Sequence, residues 1–253
     1  MLFPKTEALL EQLCETSGES NAALWVQSET QTSKKFFGGA TADSLFSLGE
    51  LGQALCTISL LFVAESEDRL HFSDRIEKFF PEFPGENRTI LDFMNKSGAA
   101  SLSRICEPKI SAESILQSYL LESLLEKLYH KKLSEVFTDK IARKLNLKNT
   151  RISELSTMEG PSMLSTLHDS MLCFQHLLKQ ASANPDFVNA KPSANESYFG
   201  LQANPSSFPN AIGISSRNHC AWLLEKSETK ILFLSEKISA DQIIRSVSKE
   251  LGA

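Results

Sequence analysis

Residues 45–67 read LFSLGELGQALCTISLLFVAESE, and the fold turns on how that stretch is understood. Leu51, Ala54, Leu55, Ile58, Leu61, Phe62 and Ala64 recur at helical spacing and are crowded enough to face protein on most sides. Glu50, Gln53 and Glu65 interrupt the run, and it is too short to cross a bilayer. The reading is a long buried helix around which the rest of the chain is assembled. Its opening carries Ser47 followed three residues later by Glu50, the spacing of a capping box. In that arrangement the Ser47 hydroxyl accepts from the Glu50 amide and the carboxylate reaches back. Glu50 also sits well at the positive end of the helix dipole.

Outward from this stretch the pattern changes period. Residues 2–15 have Leu9, Leu10 and Leu13 at helical spacing, and residues 22–28 and 34–40 read as two strands of a hairpin. On the far side, Pro81 and Pro84 end a short segment, and residues 89–96 start another helix. Amphipathic helices are expected over 112–130 (Ile115, Leu116, Tyr119, Leu120, Leu124, Leu128), over 133–145, and over 164–180, the last opened by Ser165 with Asp169 in its first turns. Residues 181–210 hold Pro185, Pro192, Pro205 and Pro209 and read as a connecting loop. Three short strands follow at 212–215, 220–225 and 230–235, then a closing helix at 240–251. Strands at both ends with helices between predict an α/β (α+β) chain, its antiparallel sheet built from both termini. The expected division is residues 1–67 with 201–253 as the sheet lobe, and 68–200 as an inserted helical lobe, together one unit.

Composition narrows the functions. The 253 residues are 42% hydrophobic and 23% charged, ordinary for a globular chain with a full core. A net charge of −5 offers no basic block for neutralising phosphates, so nucleic acid is not an expected partner. The basic group Lys127, Lys131, Lys132 and Lys140 reads as a solvated helix face. Cys14, Cys56, Cys106, Cys173 and Cys220 are odd in number and widely spaced, which fits reduced buried thiols. With Pro4 and acidic residues at the start rather than a basic then apolar run, the expectation is a cytoplasmic location. His71, His130, His168, His176 and His219 are scattered, and neither a metal nor another cofactor is expected. His219 and Cys220 are adjacent on a predicted strand, so they point to opposite faces and form no pair.

Four stretches, in order along nearly the whole chain, resemble the serine β-lactamase and penicillin-binding-protein-like hydrolases. LHFSDRIEKFFPEF at 70–83 is similar to that family's L-x-L-D-D-x-V-x-K-Y-L-P-E-F, and TILDFMNKSG at 89–98 to its I-T-I-R-H-L-L-T-H-T-S-G. The stretch from 120 to 150 resembles the helix pair ending in P-L-G-M-x-x-T, and LSTLHDSMLCFQHLL at 164–178 resembles Y-S-T-A-E-D-L-A-R-F-L-Q-A-L-L. The resemblance implies a β-lactamase/transpeptidase-like fold.

It also implies where the chemistry belongs, and there this chain departs. The family's S-x-x-K places a nucleophilic hydroxyl and a lysine one helical turn apart on one face. Aligning Phe46-Ser47-Leu48-Gly49 with the family's F-x-L-G puts Glu50 at the serine position and Gln53 at the lysine position. The Y-x-N motif falls on Glu113-Ser114-Ile115, and the K/H-T-G strand motif falls near Asn210-Ala211-Ile212. A carboxylate and an amide do not perform that acyl transfer. The expectation is a pseudo-enzyme that binds a small molecule or a protein partner. The alternatives are an active serine hydrolase with a rearranged site, for which Ser47 is the displaced-nucleophile candidate, and a structural subunit. Cys56, two turns into the apolar helix, reads as packed core rather than nucleophile.

Overall fold

Helix α1 (Pro4–Thr16) buries Leu10 and Cys14, one turn apart, on the side that meets the sheet. The structure, a computed structural model, describes residues 3–16, 21–82, 87–95, 112–157, 160–189, 197–198, 201–203, 211–215, 218–224 and 227–251. After α1 come β1 (Ala22–Gln27) and β2 (Thr32–Phe37), which pair in register from Ala22↔Phe37 to Gln27↔Thr32. The next strand, β3 (Phe46–Ser47), occupies residues expected to open the long helix. The helix begins only at α2 (Gly49–Gln53), runs through a π-helical turn (Ala54–Ile58) and continues as α3 (Ser59–Ser66). In the π turn the Ser59 N–H reaches Ala54 O, five residues back, and every residue from Ala54 to Ala64 is buried.

Helix α4 (Ile90–Met94) starts at Thr89, where Thr89 Oγ1 accepts from the Asp92 N–H at 3.2 Å and the Asp92 carboxylate accepts from the Thr89 N–H at 2.8 Å. Then come α5 (Ala112–Tyr129) and α6 (Leu133–Phe137), which leads through a second π turn (Thr138–Ala142) into α7 (Arg143–Leu145). Leu120, Leu121, Leu124 and Leu125 are buried on α5, whereas Tyr119, assigned to that stripe from its spacing, is 60% exposed. A hairpin that the sequence pattern does not announce follows, β4 (Arg151–Thr157) and β5 (Gly160–Ser165). Helix α8 (Leu167–Ala183) is capped by Thr166, whose Oγ1 accepts from the Asp169 N–H at 3.2 Å, rather than by Ser165. Ser165 ends β5 instead. The Pro-rich stretch contains α9 (Pro185–Asn189) and two short strands, β6 (Ser197–Tyr198) and β7 (Leu201–Ala203). Last come β8 (Ala211–Ser215), β9 (His219–Leu224), β10 (Thr229–Ser235) and α10 (Ala240–Leu251).

Seven strands form one antiparallel sheet in the order β2-β1-β10-β9-β8-β7-β6, so strands from both ends of the chain meet at the β1–β10 pair. Strand alternation sorts its residues into two cores. Leu24, Val26, Cys220, Trp222, Ile231 and Phe233 face α1 and α10. Ala23, Trp25, Ala221, Leu232 and Leu234 face the buried helix and the other helices of the chain. A second sheet, β3-β5-β4, lies beside the start of that helix. Among the described residues, no helix is long and apolar enough to cross a membrane.

Candidate functional site

The short strand β3 determines which side chains the helix start presents. Phe46 pairs with Ser165 and Ser47 with Leu164, and the Leu48 N–H donates to Met163 O at 2.9 Å. Phe46 and Leu48 are buried and Ser47 between them is exposed, as a two-residue period requires. Gly49 then takes φ 50°, left-handed backbone open to glycine at little cost, and this turns the strand into α2.

The cap of α2 is therefore Leu48, which has no side-chain acceptor, and the Ser47–Glu50 capping box is not formed. The physical reason lies in the ladder: holding Ser47 extended against Leu164 places its hydroxyl outside the first turn. Glu50 and Gln53 are both half-buried and stand one turn apart on α2. Helix α2 packs against β5 and against β8 and β9 of the large sheet. Glu113 belongs to the first turn of α5, with its side chain outside the described residues, and Asn210 lies outside them altogether.

Strand β8 lies so close to β9 that Gly213 is sterically required. A Cβ there would come within 2.1 Å of Ala221 O and 2.8 Å of Trp222 Cα. This approach packs β8 tightly against β9, whose first residue is His219.

His219 is 6% exposed, on the face opposite Cys220. The Ser235 N–H donates to its Nδ1 at 3.3 Å, and the ring hydrogen-bonds the Ser47 backbone. With Nδ1 accepting, the ring proton sits on Nε2, so the Ser47 partner is its carbonyl. Burial pushes the imidazole down to about 4, against a smaller upward pull from the Ser47 backbone, and it is neutral at neutral pH. Both ring nitrogens are thereby occupied. Among the described residues, the Ser47 hydroxyl has no hydrogen-bond partner.

The thiols show no activation. Cys56 lies in the π turn, fully buried, its pKa pushed well up by desolvation and then by Glu122 and Cys173. Cys173 is raised by burial and then by Asp169, and burial pushes Cys220 to about 12. Cys14, Cys56, Cys173 and Cys220 are free and buried, whereas Cys106 lies outside the described residues. No group of three or more His, Cys, Asp or Glu side chains suited to a metal occurs among the described residues.

Asp169 organises the flank of the site. It is 2% exposed, and its Oδ2 accepts from the Asn149 N–H at 2.8 Å and from Thr150 Oγ1 at 3.0 Å. Thr150 Oγ1 also lies 2.8 Å from Ser165 Oγ, so this cluster ties α8 to the edge of the hairpin that pairs with β3.

No protein-family profile matches the sequence, and no curated protein does either. Solved structures do. A β-lactamase from Sulfitobacter sp. EE-36 superposes with a TM-score of 0.73 at 13% identity, over 99% of this chain and 97% of that one. A class C β-lactamase from Rhodobacter sphaeroides gives 0.72 at 11%, over 98% of each chain. The D-alanine carboxypeptidase AmpC from Burkholderia cenocepacia gives 0.71 at 13%, over 98% and 97%. The chain has the serine β-lactamase/penicillin-binding-protein fold, as its four sequence stretches imply.

Proposed function

We propose that this chain uses a hydrolase fold for binding, without the serine acyl-transfer chemistry that its sequence resemblance implies. One observation supports this above others. On the turn where the resemblance expects a serine and a lysine, α2 carries Glu50 and Gln53. Glu50 has no hydroxyl to acylate, and the Gln53 amide has no basic lone pair near neutral pH. The displaced alternative, Ser47, needs a base at its hydroxyl. The nearby imidazole of His219 has no free nitrogen, one accepting from Ser235 and the other donating to the Ser47 carbonyl. In this reading Glu50 and Gln53 are ligand contacts. The same reading takes residues 1–67 with 201–253 as the sheet lobe and 68–200 as a mainly helical lobe, which also holds β4, β5 and β6. Four buried free thiols fit a reducing, cytoplasmic setting.

The test is intact-mass spectrometry of the folded chain after exposure to a fluorophosphonate and, separately, to a reactive penicillin. The expected result is the unmodified mass in both. A stoichiometric adduct mapped to one serine would overturn the proposal and identify the nucleophile.

A further inference from the structure

Far along the buried helix from Glu50, at the end of α3, lies a cavity of about 330 Å3 lined by Arg69, Tyr129, Lys131, Asp139, Lys140 and Lys144. Its construction is not that of a solvated lysine face. Glu67 anchors two of the cations. Its carboxylate accepts from Lys140 Nζ at 2.9 and 3.0 Å and from Arg69 Nε at 3.2 Å, while the Tyr129 hydroxyl donates to it at 3.1 Å. Arg69 and Lys140 also lie over the Tyr129 ring, 4.6 and 5.0 Å from its centroid. Asp139 holds Lys131 at 2.6 Å and Arg143 at 2.8 Å. Lys144 lines the same cavity and makes no ion pair among the described residues.

The four cations that line the cavity outnumber Asp139 and the anchoring Glu67 by two, in a chain whose net charge is −5. The field is felt by the acids themselves. Burial pushes Glu67 up, yet hydrogen bonds from Lys140, Arg69 and Tyr129 hold it below the usual carboxylate range; Lys131 does the same for the half-buried Asp139. Arg69, Lys131 and Lys140 are held in place before any ligand arrives, which lowers the ordering cost of binding. The volume accommodates roughly ten waters, larger than a single phosphate needs. Because both cations approach the Tyr129 ring, that ring is committed to them and offers no stacking platform for a base.

We propose that this cavity binds a small polyanion of the pyrophosphate or organic polyphosphate class, through Arg69, Lys131, Lys140 and Lys144. The site is separate from the Glu50 turn and stands or falls independently of the reading given for it. Calorimetric titration of the full chain with inorganic pyrophosphate tests it, using Lys144→Gln at the exposed, unpaired cation and Lys237→Gln as a remote exposed control. The expected result is saturable one-to-one binding that rises in Kd with salt, weakens roughly fivefold to tenfold in Lys144→Gln and is unchanged in Lys237→Gln. No saturable binding up to about 5 mM pyrophosphate, a millimolar Kd being the weak end of specific binding, overturns it. Equal affinity in wild type and Lys144→Gln also overturns it. Tighter binding of citrate than of pyrophosphate would overturn the phosphate class.

Discussion

The ring of His219 and the backbone of Ser47 are hydrogen-bonded to each other, joining the first residue of β9 to the strand that leads into α2. A buried neutral imidazole thereby holds the candidate site against the large sheet. Its role is positional, and its cost is paid in acid.

Between pH 6.5 and about 4 the unfolded chain protonates His219 and the folded chain does not. Its contribution to stability is therefore complete above pH 6.5 and is lost as pH falls toward 4, by up to roughly 3 kcal/mol. Urea unfolding of wild type and His219→Gln at pH 7 and pH 4.5 should show wild type losing more of its pH 7 stability than the variant. Parallel losses in the two proteins would contradict the buried neutral ring.

Asp169→Ala removes the acceptor for the Asn149 N–H and the Thr150 hydroxyl in a nearly dry environment. The expected loss is about 2–4 kcal/mol, read from the denaturant midpoint. Stability unchanged within about 0.5 kcal/mol would mean that the network is incidental.

Gly213→Ala forces a methyl into Ala221 O where β8 and β9 pair. A destabilisation of about 3 kcal/mol or more is expected, seen as a lowered melting temperature or loss of folded yield by circular dichroism. Wild-type melting would show that the two strands separate at little cost.

Cys14, Cys56, Cys173 and Cys220 should resist a thiol-reactive reagent in the folded protein and react once it is denatured, because their burial disfavours the thiolate. Peptide mapping that finds label on Cys56 or Cys173 in native protein would undo the packed-core assignment.

Much of this architecture was legible from period and punctuation. Short apolar runs bounded by polar turns, AALWVQ and the C-terminal strands, pointed to the sheet, and the apolar crowding of residues 51–64 pointed to the buried helix. The β4–β5 hairpin was not legible because its register shifts between Ile152 and Ser156, which breaks the two-residue period, and because β5 runs almost directly into α8. Ser47 read as a cap from local spacing alone, and only its pairing with Leu164 shows it extended. At the site, the Glu50–Gln53 spacing was local and readable. His219 was not, because its partners Ser47 and Ser235 arrive through tertiary pairing. The Lys131 and Lys140 pairings likewise depend on Glu67 and Asp139, which helix spacing alone did not bring to one cavity.

The π turn at Ala54–Ile58 works as a phase shifter. It holds one residue more than an α-helical path of the same length, so the turn carrying Glu50 is rotated by roughly 100° relative to a helix without it. Deleting one residue there would leave the composition of the core nearly intact while swinging Glu50 and Gln53 to another side. The chemistry offered at this end of the helix thus depends on a count of residues, and a single-codon change in length could redirect it without touching either side chain.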